Sequence, residues 1–285
     1  MKVFNSLKKC KFVNQIENMN QDITQKTYKK LCFEVATSNL SFCVIDLISN
    51  KIITHKSYAF NQNNVLEEEL WKIFVENPIL EEKYDDVVVL HNSNLNTFVP
   101  SSLFDPNYLG SYLQYNSKVF ETDYFAYDYL DSYDLNNVFI PYTNINNYLL
   151  DHYDTFDYKN CNSIFVKKAL DFSKNNDAKQ VWVHFQNDRF EIVVTKNKHL
   201  LLFNTFIYKT LEDFIYYLLF TYEQLQLNPE IVPVQFVGDI SEESDSFKIA
   251  YKYIRNCSLL DVSHLKTAFN VEEKDLLKHF ILFHS

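Results

Sequence analysis

Two glycines stand in the 285 residues of this chain, where average usage of about 7% would place roughly 20. Glycine lets a backbone turn at positive φ or press against a phosphate. A fold that grips a nucleotide through Gly-rich loops is therefore denied its usual means. The same scarcity excludes a GxSxG nucleophile elbow, and no other local signature marks a Ser or Cys nucleophile. Basic residues are also short: 27 Lys and Arg against 37 Asp and Glu leave a net charge of −10. That balance argues against broad contact with phosphate backbones and so against a nucleic-acid partner. Cysteine pairs at CxxC spacing are lacking. Cys10, Cys32, Cys43, Cys161 and Cys257 are odd in number and far apart, the pattern of reduced, buried thiols rather than of a zinc site. No run reaches the ~18 apolar residues of a membrane span. Met1 to Gln15 shows no continuous apolar core of a signal peptide. A cytoplasmic protein is expected.

What is abundant is apolar and aromatic. Hydrophobic residues make up 47% of the chain, with 25 Phe and 20 Tyr, enough to fill a large core. Met1 to Thr27 is polar and reads as a frayed extension. From Leu31 the pattern alternates, then tightens into Leu40-Ser-Phe-Cys-Val-Ile-Asp46. After the polar break Ser49-Asn50-Lys51 a second run, Ile52 to Phe60, completes a β-hairpin. Leu66, Leu70, Ile73 and Phe74 then share one helix face, and Asp86 to Leu90 reads as a buried strand.

The second half runs through the same units. Gln180 to Phe185 and Arg189 to Val194 flank Asn187-Asp188, a good hairpin turn, and His199 to Phe206 closes the meander. Thr210 opens a helix with Asp213 at capping-box spacing. Its apolar residues, including Tyr216, Tyr217 and Phe220, predict a helix covered on most sides. Val232 to Val237 is the next strand, ending at Gly238. A helix carrying Phe247, Ala250, Tyr251 and Ile254 and a strand from Ser258 to Val262 follow. Hairpin, helix and buried strand thus recur in one order, the pattern of a duplicated α/β architecture.

Four segments in this order carry a family resemblance: Leu40 to Asp46; Asn204-Thr-Phe206 followed by Glu212-Asp213-Phe-Ile-Tyr-Tyr217; Pro233-Val-Gln-Phe-Val-Gly238; and Tyr251-Lys-Tyr-Ile254. Together they resemble an uncharacterised Bacteroidetes family known only as DUF3822, from about Leu31 to Val262. The resemblance implies an α/β fold of mixed sheets: a duplicated RNase H-like, actin-like ATPase fold with two subdomains flanking a cleft. On that basis residues 1–30 form a polar extension. Residues 31–175 form a first subdomain with an acidic, Tyr-rich insertion at 119–158, and residues 176–285 a second subdomain ending in a helix.

In actin-like ATPases the first hairpin carries an Asp-x-Gly turn that cradles phosphates, and the second subdomain repeats it. A Gly-Gly turn after a later strand covers the adenosine. Here the first site reads Asp46-Leu47-Ile48, with isoleucine in the glycine place. The second reads His184-Phe185-Gln186, and the third keeps Gly238 followed by Asp239. A degenerate nucleotide cleft would thus be marked by Asp46, His184, Gly238 and Asp239. Each also has a plainer reading: Asp46 as a turn former, His184 as a hydrogen-bonded strand residue facing solvent, Gly238 as a tight strand-to-helix turn. No catalytic set, no metal site and no bound cofactor are expected. ATP with magnesium belongs to the alternative, a nucleotide sensor or an ATPase with non-standard loops.

Val119 to Tyr158 holds seven Asp, one Glu, eight Tyr and no Lys or Arg. An ordinary solvated face accounts for this. So does a docking face for a basic partner, with Asp128, Asp131 and Asp134 as its charges. Their spacing of three does not match the 1, 3, 5 ligands of a calcium loop. His279 and His284, five apart on an expected final helix, miss the i, i+4 metal pairing. The expected function is a non-catalytic protein-binding adaptor, a pseudo-ATPase. A structural homo-oligomer is the third reading.

Overall fold

The protein is described from a computed structural model covering residues 26–285, apart from Gln62, Asn270 and the side chains of Thr267 and Ala268. All but the end of the expected N-terminal extension, and Cys10 with it, lies outside the described residues. The first half opens with a meander of β1 (Lys29–Val35), β2 (Asn39–Asp46) and β3 (Lys51–Ala59). Helix α1 (Leu66–Glu76) leads back to β4 (Asp86–His91), which lies parallel to β1. The chain then leaves this sheet. β5 (Asn96–Pro100), α2 (Leu109–Leu113), β6 (Ala126–Leu130) and β7 (Leu135–Phe139) form a small unit whose sheet has the order β5-β7-β6. It starts ahead of the acidic stretch. Helix α3 (Thr143–Leu150) and β8 (Asp157–Asn160) return to the first sheet, which has the order β3-β2-β1-β4-β8.

Helix α4 (Cys161–Phe172) links the halves, and the meander repeats as β9 (Gln180–Phe185), β10 (Arg189–Lys196) and β11 (His199–Ile207). Helix α5 (Leu211–Gln224), β12 (Val234–Gly238), α6 (Asp245–Tyr253) and β13 (Cys257–Leu259) complete the second sheet. Its order is β11-β10-β9-β12-β13, the first sheet's arrangement over again. Helices α7 (Ser263–Phe269) and α8 (Glu273–Lys278) close the chain. His279 caps α8 and His284 sits in a separate 3-10 turn, so the two do not share one final helix.

Strand alternation divides each sheet between two cores. Leu31, Phe33 and Val35 of β1 pack outward under α1 and α3. Val181, Val183 and Phe185 of β9 do the same toward α5 and α6. The opposite faces meet in the middle: Cys32, Val88 and Leu90 from one sheet, Trp182 and Val193 from the other, with α4 and Leu276–Phe283 among them. This sandwiched position accounts for the burial of Cys161, Ile164, Phe165 and Val166 of α4, while its buried Asn162 and Ser163 find polar partners on the three-stranded unit. Thr210 and Asp213 do form the capping box of α5, with Asp213 N–H donating to Thr210 Oγ1 at 3.1 Å. That helix is not covered on most sides, however. Tyr216 and Phe220 stack on each other while remaining exposed, because nothing among the described residues packs over that side.

Candidate functional site

In each sheet a parallel pair, β1–β4 and β9–β12, ends beside a hairpin turn, the place where α/β folds present ligand-binding turns. Two hairpins close there. In β1–β2 the Ala36 N–H donates to the Asn39 carbonyl at 2.9 Å, and in β9–β10 the Gln186 N–H donates to the Arg189 carbonyl at 2.9 Å. Matching these turns places Glu34 where the second half has His184. Both lie on the central face, two residues before their turn.

This correspondence corrects the reading of Asp46. Asp46 pairs with Lys29 at the start of β1, the end of the sheet away from the convergent turns. Its carboxylate accepts from the Ile48 and Ser49 N–H groups, at 2.8 Å each, and caps the next turn, β2–β3. These bonds hold its carboxyl below the ordinary value. The physical cause of the misplacement is the weak pattern of β1. It opens with Lys29-Lys30 and carries Glu34, so the stronger run of β2 is taken for the first strand of the first hairpin.

Around Glu34 and His184 lies a buried charged cluster. Glu191, wholly enclosed on β10, accepts from Arg189 Nε at 3.0 Å and from Gln186 Nε2 at 3.1 Å, and His184 Nδ1 lies 3.0 Å from its second oxygen. Burial pushes the Glu191 carboxyl upward, but His184 and Arg189 overcome it and hold the group below its usual range. Arg189 then crosses to the first half, where its Nη2 donates to the side-chain oxygen of Asn92. Asn92 Nδ2 donates in turn to Glu34 Oε1 at 2.8 Å, and the Asn92 N–H to the Val35 carbonyl at 2.8 Å. Burial raises the Glu34 carboxyl, against the pull of His184, Asn92 and Arg189. The Tyr142 hydroxyl donates to the Asn92 carbonyl at 2.9 Å and completes the bridge. His184 is thus an interior residue, its ring centroid 5.3 Å from that of Phe165 and tilted 45° to it, and does not face solvent.

Gly238 stands at the end of β12 with φ +97, and a Cβ there would lie 2.2 Å from the Phe185 carbonyl oxygen. The Asp239 N–H donates to that same oxygen at 3.1 Å. The glycine is therefore required by the approach of β12 to β9. Asp239 faces outward, 3.5 Å from Lys278 Nζ of α8. His184 and Gly238 come together, then, while Asp46 is remote. Among the described residues no group of three or more His, Cys, Asp or Glu is placed to hold a metal ion. No helix of the described residues is long and apolar enough to cross a membrane.

The acidic trio also separates. Asp128 turns inward from β6, between the exposed Tyr127 and Tyr129, and accepts from the Asn160 N–H at 2.9 Å and from Ser163 Oγ. Burial pushes its carboxyl up to about 6, although both hydrogen bonds oppose the shift. It ties β6 to the start of α4 and is unavailable to a partner. Asp131 and Asp134 are exposed at the β6–β7 turn. Glu34, Asn92, Gln186, Arg189 and Glu191 are the residues that sequence reasoning missed. Their one visible signal is a glutamate set inside an apolar strand in each half, Phe33-Glu34-Val35 and Phe190-Glu191-Ile192.

Comparison with known proteins gives a family and a fold. A family model described as "Protein of unknown function (DUF3822)" matches residues 18–257. No curated protein matches the chain. A Bacteroides thetaiotaomicron crystal structure, described as having an actin-like ATPase fold and unknown function, superposes with a TM-score of 0.77. It is 20% identical over 88% of this chain and 99% of its own. A chain of the PilM–PilN type IV pilus biogenesis complex superposes with a TM-score of 0.55, at 12% identity over 89% of this chain and 96% of its own. At these identities the likeness is one of fold: two sheets of repeated topology in an actin-like arrangement.

Proposed function

The chain belongs to the DUF3822 family of proteins of unknown function, and from that footing we propose that it is a non-catalytic protein-binding scaffold whose cleft is occupied by its own side chains. The observation that carries this reading is the Arg189–Asn92–Glu34 bridge, anchored on Glu191, between the two hairpin turns. Phosphates held between those turns would need backbone N–H groups free of side chains. Ala36-Thr37-Ser38 and Gln186-Asn187-Asp188 contain no glycine, and the retained Gly238 is filled by Phe185 backbone. These residues do not fit a nucleotide's phosphates. The adaptor half of the proposal draws support from exposed aromatics on the three-stranded unit. The pilus complex adds that a chain of this fold occurs with a protein partner.

Calorimetric titration of the whole chain with ATP and magnesium should give no binding heat up to millimolar nucleotide. A site with Kd below about 100 μM, equivalent to ~5.5 kcal/mol, would overturn the reading. The protein would then be a nucleotide sensor or an ATPase with unusual loops.

A further inference from the structure

We propose that a groove on the three-stranded unit is the seat for a cationic side chain, arginine or lysine, presented by a partner protein. This rests on the scaffold reading above and gives it a place and a chemistry. The groove, about 770 Å³, runs between the segment Pro106–Leu113 and the loop that leads into β6. Its floor is Gly110 against Phe125, where an added Cβ would lie 3.1 Å from the phenyl ring. Tyr108, Phe120 and Tyr124 line the groove and are 61%, 54% and 57% exposed. Glu121 and Asp123 also border it.

Charge selects the occupant. Apart from the inward-turned Asp128, residues 92–142 contain five acids, Asp105, Glu121, Asp123, Asp131 and Asp134, and a single base, Lys118. That one base lies with its Nζ 5.1 Å from the centroid of the Phe120 ring. A cation within ~6 Å of an aromatic face is drawn by the ring quadrupole. Lys118 therefore shows how a cation sits in this groove. Tethered two residues away and exposed, it is an occupant that a partner's guanidinium can displace. The Glu121 and Asp123 carboxylates bordering the groove steer such a partner and penalise an acidic one.

The test uses the full chain and two fluorescein-labelled Gly/Ser peptides, one carrying three arginines and one carrying citrulline in their place. Fluorescence anisotropy should show binding of the arginine peptide that weakens as salt rises from about 50 to about 300 mM. The citrulline peptide should bind at least ~10-fold more weakly. Phe120→Leu keeps apolar area but removes the aromatic face, and should weaken the arginine peptide about fivefold. Glu121→Gln should weaken it about twofold or more. Both residues are exposed, so the variants should keep the parent's Tm. Equal binding of the two peptides, or parental affinity in Phe120→Leu, would overturn the proposal. If the groove fails while ATP also fails to bind, the scaffold reading stands and the partner's seat lies elsewhere. If ATP binds, the scaffold reading falls whatever the peptides do.

Discussion

Replacing Arg189 with methionine removes a buried guanidinium while keeping its apolar stem. Arg189 is only 12% exposed and its partner Glu191 is fully enclosed, so solvent cannot compensate the carboxylate left behind. Glu191 would keep Gln186 and His184, but Asn92 would lose its donor from the other half. Breaking one side of a buried ion pair costs about 3–5 kcal/mol, since the remaining charge stays desolvated. That is about a fifth or more of a typical stability of ~5–15 kcal/mol. Urea unfolding at pH 7.5, with the slope checked for constancy, measures it directly. The decisive comparison is the double variant Arg189→Met with Glu191→Gln. Neutralising Glu191 removes the stranded charge, so the pair should cost ~1.5–3 kcal/mol less than the sum of the two single changes. Strict additivity, or a loss below ~1 kcal/mol for Arg189→Met alone, would refute the idea that this cluster locks the two halves together.

Two further changes test the same structure. Asp128 has a carboxyl raised from 3.8 to about 6, so the folded state holds a proton that the unfolded chain releases. Its contribution therefore favours folding at low pH and declines as pH climbs from 3.8 to about 6. Asp128→Asn should raise stability by about 1–2 kcal/mol at pH 7.5 after allowing for partial solvent screening, and change it little at pH 4; a loss at pH 7.5 in chemical denaturation would contradict this. Gly238→Ala combines a positive φ with a Cβ 2.2 Å from Phe185 backbone and should cost about 3–5 kcal/mol, read as a drop in Tm; a shift of less than about 4 °C would show that β12 can move away from β9 cheaply.

Much of the architecture is legible in the chain because it rests on neighbours in sequence. The hairpin of β2 and β3 follows from two apolar runs around Ser49-Asn50, and Asn50 does take the positive φ, 53°, that such a break favours. Helix α1 buries Leu70, Ile73 and Phe74 at helical spacing, and Thr210 with Asp213 opens α5. The duplicated order of units, and the lack of glycine in the β1–β2 and β9–β10 turns, are likewise properties of the sequence alone.

What the sequence leaves undecided is where ends and faces come to lie. Asp46 and Glu34 are both acids on adjacent strands, yet antiparallel pairing sends one to the remote end and the other into the central cluster. Asp128 alternates correctly with Tyr127 and Tyr129, but alternation does not tell which face is inside. The aromatic residues face out here because Asn160 and Ser163, more than thirty residues away, supply donors that a buried carboxylate needs. Arg189 likewise finds Asn92 across 97 positions. Local pattern is set by covalent spacing, whereas a charged side chain is buried only where the fold delivers its partners, and that delivery exists only in three dimensions.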